Sequence, residues 1–305
     1  GRATTARWKR GWGVLPYMKR TAPDETSFLW TALLITPMTV EVTTPSGEPA
    51  GRIEASRDPA GDSGGAVQWR AHARGVEPET TYCYRIVDSS TGEPLFGSAG
   101  FRTAPDPASS RPVRFAVLGD SGEGSADQRA LTRQVASVPF DLLLHVGDMA
   151  YDSGTFEEFE SHFFQVYEDL LVSSPVFPIP GNHEYWTDDA APFRGVFELP
   201  HNERWYSFDW GNVHFVGLDT EKAEDEAQLS WLKRDLATNS RDWTVAFLHM
   251  SPYSSGSHGS EMSVREAFEP IFQKHGVDLV ISGHDHHYER VEPQGELNTV
   301  SSVIQ

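Results

Sequence analysis

The sequence predicts two domains, an all-β sandwich over residues 22–107 and an α/β domain over residues 112–305. Three observations carry this. Short apolar strands separated by turn clusters fill the first third of the chain. The stretch Ala104 to Arg111 (Ala-Pro-Asp-Pro-Ala-Ser-Ser-Arg) then reads as a linker. Beyond it strands alternate with helical patterns, and five apolar strands in succession end in residues able to bind metal.

The first domain takes its strands from Ser27 to Leu34, Val40 to Thr44, Val67 to Ala73, Thr81 to Val87 and Ser98 to Thr103. Turn clusters such as Pro45-Ser46-Gly47 and the run from Asp58 to Gly65 separate them. Two-residue alternation places Tyr82, Tyr84 and Ile86 on a core face and Cys83 on the other. In the second domain, strands are expected at Val113 to Leu118, Asp141 to Val146, Val176 to Ile179, Val245 to Leu248 and Asp278 to Ile281. Trp205 to Trp210 and Val213 to Leu218 flank Gly211-Asn212, a two-residue hairpin signal. Helices are expected at Ser125 to Val138, Phe156 to Leu171, Glu226 to Ala237 and Ser263 to Lys274. The second of these carries an aromatic stripe, Phe156, Phe159, Phe163, Phe164 and Tyr167, suited to core packing.

Composition narrows the chemistry. Apolar residues make up 38% and charged residues 23% of 305, as in a globular chain with a sizeable core. A net charge of -19 argues against a nucleic-acid or anionic-membrane surface. The single cysteine, Cys83, excludes an intramolecular disulfide and any thiolate cluster, so a metal here must be held by His, Asp, Glu, Asn or Tyr. The start of the chain, Gly1 to Arg20, is basic and Trp-rich without an apolar signal core, and no apolar run is long enough to span a membrane.

The strand ends are Gly119-Asp120-Ser121-Gly122, Gly147-Asp148-Met149-Ala150-Tyr151, Gly181-Asn182-His183-Glu184, His249 after Val245 to Leu248, and Gly283-His284-Asp285-His286-His287-Tyr288. The Gly-Asp and Gly-Asn-His ends alone read as ordinary turns, and the His-x-His end is a stronger signal because its two imidazoles can converge on a metal. Together they deliver Asp, Asp with Tyr, Asn with His, His, and a His-x-His pair to one sheet edge, where ligands bind in α/β folds. His145 and His214 lie inside strands and suit satisfied core positions. His72, His162, His201 and His275 are expected to be structural or at the surface.

This ordered set (GDxG, GDxxY, GNHE, a His after an apolar strand, GHxH) resembles the purple acid phosphatases among the calcineurin-like metallophosphoesterases, across Phe115 to Arg290. The resemblance implies an α/β metallophosphoesterase fold, a two-sheet sandwich flanked by helices. The first domain resembles the accessory β-sandwich of such enzymes, and Glu77 to Tyr84 resembles fibronectin type III domains. By resemblance, one metal takes Asp120, Tyr151 and His286, the other takes Asn182, His249 and His284, and Asp148 bridges them. His183 and His258 match positions that contact phosphate and protonate the leaving group. A second His follows the latter in some members; here that position is Gly259. Glu184 is expected just outside the ligands, and Asp285 points away from them by alternation.

Tyr151 decides which metal is expected. The first strand end lacks the Asp-x-His found in many related phosphoesterases, and a phenol three residues beyond Asp148 stands where a ligand is needed. A free phenol has a pKa of about 10, so phenolate ligation demands a strong Lewis acid. Fe(III) with a divalent Fe, Zn or Mn fits. Such a pair brings about +5 against three anionic ligands, leaving a local surplus for phosphate despite the acidic chain.

The implied activity is hydrolysis of small phosphate monoesters by metal-activated hydroxide at acidic pH, in a secreted or periplasmic protein. The rivals are a phosphodiesterase or broad-specificity phosphatase on the same site, told apart by rates on mono- and diesters, and a catalytically weak binding protein. The sequence stops nineteen residues past His286, where relatives usually continue with further strands; the expectation is either a C-terminally truncated domain or, if the protein ends there, an incomplete second sheet with an exposed edge.

Overall fold

The computed structural model describes residues 15–22, 24–32, 36–59, 67–293 and 300–303. Leu33 and Leu34, residues 60–65 of the long turn cluster and residues 1–14 lie outside them. The chain divides into two compact units, residues 1–105 with 168–175, and residues 106–167 with 176–305.

The first unit contains β1 (Leu15–Ala22), β2 (Glu25–Ala32), β3 (Met38–Thr43), β4 (Pro49–Glu54), β5 (Ser56–Arg57), β6 (Val67–Arg74), β7 (Thr81–Asp88) and β8 (Ala99–Arg102). They form two antiparallel four-stranded sheets, ordered β1-β2-β6-β5 and β4-β3-β7-β8. Both sheets feed one core containing Phe28, Trp30, Val40, Trp69, Tyr84 and Phe101. Tyr82, Tyr84 and Ile86 are buried on one face of β7, while Cys83 is half-buried on the other. The sequence reading did not include β1, β4 or β5. β4 is almost wholly exposed and carries Pro49 and Gly51, so no apolar alternation marks it; its pairing with β3 makes it a strand.

The second unit runs β9 (Phe115–Leu118), α1 (Ala126–Val135), β10 (Leu142–His145), α2 (Phe156–Glu158), α3 (Gln165–Leu171), β11 (Val176–Pro178), α4 (Asn182–Tyr185), α5 (Ala191–Val196), β12 (Tyr206–Trp210), β13 (Val213–Gly217), α6 (Glu226–Thr238), β14 (Trp243–Phe247), α7 (Met262–His275), β15 (Leu279–Ser282), β16 (Glu289–Arg290) and β17 (Val300–Val303). The last turn of α3 belongs to the segment grouped with the first unit. A π-helical run, Phe159–Phe164, joins α2 to α3, so the expected single helix carries an irregular centre; Phe159, Phe163 and Tyr167 are buried along it.

A parallel sheet and a mixed one build this unit. β9, β10 and β11 are parallel neighbours. The other sheet has the order β12-β13-β14-β15-β17-β16, with β13, β14, β15 and β17 parallel. The sheets meet face to face: Phe115 packs on Phe215 at 5.3 Å, Phe177 stacks on Phe208 at 3.7 Å, and the Tyr206 hydroxyl donates to the Pro178 carbonyl at 2.7 Å. On the outer face of the second sheet, Leu232 and Leu236 of α6 and Val264, Phe268 and Phe272 of α7 cover Val216, Ala246 and Val280. Alternation explains the split: in β13, Phe215 points to the partner sheet and Val216 to the helices. No helix among the described residues is long and apolar enough to cross a membrane.

Candidate metal centre

The carboxyl ends of β9, β10, β11, β14 and β15 converge. Beyond the last paired residues the segments stay tied together: Asp120 N–H donates to Gly147 O at 3.0 Å, and Gly283 N–H to His249 O at 2.9 Å. Two donors reach across between the sheets. His249 Nδ1–H donates to Val146 O at 2.7 Å, and the His284 N–H donates to both Asp120 oxygens at 3.0 and 2.8 Å.

All seven candidate ligands meet in this region. Tyr151 Oη lies 3.2 Å from His286 Nε2, which lies 3.5 Å from Asp120 Oδ1. Asn182 Oδ1 lies 3.0 Å from His249 Nε2. The donor atoms of Asp148, His249 and His284 all fall within 4.8 Å of one another. Asp148 Oδ2 sits between the groups, 3.3 Å from Tyr151 Oη and 3.5 Å from His249 Nε2. The bond from His249 Nδ1 to a carbonyl fixes its tautomer and turns Nε2 toward the cluster.

The backbone is bent to make this possible. Asp120, Asp148, His284 and His286 all have left-handed φ, 51°, 55°, 74° and 40°. Such conformations cost on the order of 1–3 kcal/mol each and gather at functional sites. Gly181 and Gly283 leave the space: a Cβ would lie 2.2 Å from Asp148 Oδ1 at the first and 2.3 Å from Asp120 Oδ2 at the second.

The electrostatics call for positive charge. Burial pushes the Asp148 carboxyl up, but His249 and His183 outweigh it and hold it at about 2. Burial would lower His249; Asp148 and then Asp120 lift it instead to about 10. Burial, with His249 and His258 beside it, lowers His284 to about 4. Burial and the charges of Asp148 and Asp120 hold the Tyr151 phenol well above its ordinary value. Paired carboxylates, imidazole nitrogens, an amide oxygen and a phenol against glycine backbone are the donors of a hard or borderline cation site, so the residues fit a metal pair.

Glu184 is fully buried behind the cluster. Its Oε2 accepts from Asp148 N at 2.8 Å and Gly181 N at 2.7 Å, and its Oε1 from Met149 N at 2.9 Å and Ala150 N at 3.3 Å. One carboxylate thus brackets two strand ends. His183 donates its backbone N–H to Asp148 Oδ1 at 3.1 Å and Nδ1–H to Asp152 O at 2.5 Å, leaving Nε2 3.9 Å from Asp148 Oδ2. The His258 ring lies 4.4 Å from that of His284. Asp285 turns away from the ligands, and its carboxylate accepts from Ser254 Oγ and, at 2.8 Å, from His258 N.

The other histidines divide. Burial lowers His145 to about 3; its Nε2 lies 3.0 Å from Ser121 Oγ, which receives the Tyr167 hydroxyl. His214 is clasped by Asp209 at 2.7 Å and Asp235 at 2.8 Å. His162 Nδ1–H donates to Tyr151 O at 2.8 Å, supporting the phenol's segment. A further strand end, Leu218-Asp219-Thr220-Glu221 after β13, is not among the five named above. Burial there raises Asp219 to about 6, and Tyr185 donates to it. Glu221 Oε1 is buried without a hydrogen-bond partner, and burial raises this carboxyl against the opposing pull of His249. Its signal, an apolar strand closing on an acid, matches the first two of the five strand ends, those of Asp120 and Asp148.

A cluster of donors able to hold cations, at one edge of two facing sheets, is the arrangement expected of a metallophosphoesterase-type centre. The chain belongs to the calcineurin-like phosphoesterase family, whose pattern matches residues 113–288. Its homologues include purple acid phosphatases. Purple acid phosphatase 15 of Arabidopsis thaliana is 33% identical over 256 residues, covering 71% of this chain and 48% of that protein. Probable inactive purple acid phosphatase 1 of Arabidopsis thaliana is 27% identical over 329 residues, covering 88% and 54%. The fold matches purple acid phosphatase PPD1 from yellow lupin (Lupinus luteus) seeds with a TM-score of 0.84 at 21% identity, over 95% of this chain and 64% of that one. The chain therefore spans about half the length of the curated relatives it matches.

Proposed function

We propose that this chain carries a dinuclear-metal acid phosphatase centre acting on small phosphate monoesters. The observation that carries the proposal is the position of Asp148 Oδ2, between Tyr151 Oη at 3.3 Å and His249 Nε2 at 3.5 Å, where one carboxylate reaches two donor groups. Asp120, Tyr151 and His286 would hold one ion, preferably Fe(III), and Asn182, His249 and His284 a divalent Fe, Zn or Mn. Bound there, the pair would supply an activated water and charge neutralisation on the phosphoryl oxygens.

The remaining steps fall to side chains. His183 Nε2 faces the cluster, 3.9 Å from Asp148 Oδ2, and with Nδ1–H given to Asp152 O it donates to a phosphoryl oxygen in the imidazolium form. His258 is held over His284 by the bond from its backbone to Asp285, placed to protonate the departing alcohol. Glu184 fixes the spacing between the ends of β10 and β11. The first unit acts as the accessory, fibronectin-like sandwich, and the setting is secreted or periplasmic. A relative named as a probable inactive purple acid phosphatase favours the rival binding-protein reading; the convergence of all seven donors favours catalysis.

The test is hydrolysis of an aryl monoester and the matching diester by the metal-loaded chain, beside Asp148→Asn and His284→Ala. The monoester should be preferred, and both variants should lose well over the ~100-fold that outer-sphere changes cost. Undiminished turnover in either variant overturns the proposal; diester preference shifts it to the phosphodiesterase reading.

A further inference from the structure

Trp186 ends helix α4, three residues beyond His183, and so shares a helix face with it. Its ring lies 4.1 Å from the His183 ring at 38°, yet 61% of the residue is exposed. The indole is thus left open beside an imidazole whose Nε2 lies 3.9 Å from Asp148 Oδ2, with an aromatic face free to receive a ring.

The local structure holds it outward. After Trp186 the chain passes through Asp188, Asp189 and Ala190, three successive non-glycine residues with left-handed φ of 48°, 52° and 60°. Asp189 is pinned by Arg204 and, at 3.1 Å, by Lys222. The same two cations lie over the ring of Tyr185, at 5.7 and 5.1 Å, and Tyr185 donates to buried Asp219. Tyr185 is thus locked inward, and its neighbour is left projecting at the rim.

Trp186 also begins a row of rings along one wall of the metal centre. His183 meets Tyr151 edge-on at 4.5 Å, and Tyr151 lies 6.3 Å from His286. Two residues past His286, Tyr288 is 73% exposed. By contrast Trp243, the other strongly exposed aromatic among the described residues, opens β14 at the end of that strand away from His249.

Resting on the phosphatase reading above, we infer that Trp186 is a specificity-determining residue that receives a flat aromatic leaving group, so that the preferred substrates are phosphate monoesters of planar aromatic alcohols. With phosphate at the metal centre and His183 at its edge, the ester's ring lies against the indole. The acidity of the chain, net charge -19, disfavours leaving groups that carry further phosphates and suits a neutral ring.

The test titrates the metal-loaded full chain with phenylphosphonate and with cyclohexylphosphonate, which share a headgroup and apolar bulk but not planarity. Wild type should bind the phenyl compound about five- to tenfold more tightly. Trp186→Phe should keep most of that ratio, and Trp186→Ala should bring it to one with cyclohexylphosphonate affinity unchanged. Equal affinities in wild type, or a ratio untouched in Trp186→Ala, overturn the inference while the phosphatase reading stands. Absence of binding by both phosphonates overturns the two together.

Discussion

Gly181 is glycine because Asp148 occupies the place of a side chain; a Cβ would sit 2.2 Å from that carboxylate oxygen. Gly181→Ala should therefore fold but displace Asp148, and metal analysis should find less than half the wild-type content. Glu184 makes a sharper case. Each of its oxygens accepts two backbone N–H groups, so Glu184→Gln must turn an amide NH2 toward two donors. The loss should be about 1–3 kcal/mol, measured by chemical denaturation, because stranded buried donors carry their full desolvation cost. The strand ends that carry the seven candidate ligands were legible because polar side chains follow apolar runs there; their division between two metals rests on the family resemblance. Glu184's bracketing was not, since bonds from a side chain to distant backbone N–H groups leave no pattern in sequence. Its motif placed it near the site but gave it no partners.

The segment from Ser254 to His258 has no regular structure of its own and depends on Asp285, which binds Ser254 Oγ and His258 N. Alternation in the GHxH segment already turned Asp285 away from the ligands; what it turns toward needed the fold. Asp285→Ala should release His258 without removing a ligand. Rates on alkyl phosphates, whose leaving groups need a proton, should fall by about 100-fold, and those on nitrophenyl phosphate by much less. An equal loss on both would mean that Asp285 serves folding alone. The same contrast separates strands that were seen from those that were not. β7, β13 and β14 announce themselves by burial, whereas exposed β4 exists through its partner β3. The π-helical run at Phe159–Phe164 was likewise not legible, because the i, i+4 spacing of Phe159, Phe163 and Tyr167 suits a regular helix equally well.

Stability of the whole chain should carry the mark of His214. Asp209 and Asp235 clasp both ring nitrogens, Arg241 binds Asp209 at 2.9 Å, and Ser207 binds Asp235 at 2.6 Å. Burial opposes the charged ring, but the two carboxylates raise His214 to about 9. A folded pKa above the unfolded ~6.5 gives stability that is fully present below pH ~6.5 and lost as pH rises through about 9. The contribution is about 3 kcal/mol, and urea denaturation from pH 6 to 10 should show the decline in wild type and a flatter profile in His214→Gln. The architecture itself was legible from alternating strands and helices, but the order of the six-stranded sheet, with β17 between β15 and β16, was not, because long-range pairing is set by packing.

One measurement bears most directly on the metal centre: metal content and the visible spectrum of the purified chain, wild type beside Tyr151→Phe. The phenol lies 3.2 Å from His286 Nε2 and 3.3 Å from Asp148 Oδ2, and the proposed dinuclear centre predicts about two metals per chain, iron among them, with a visible band that disappears in the variant. A chain that binds no metal, or a band that survives the loss of the phenol, would contradict it.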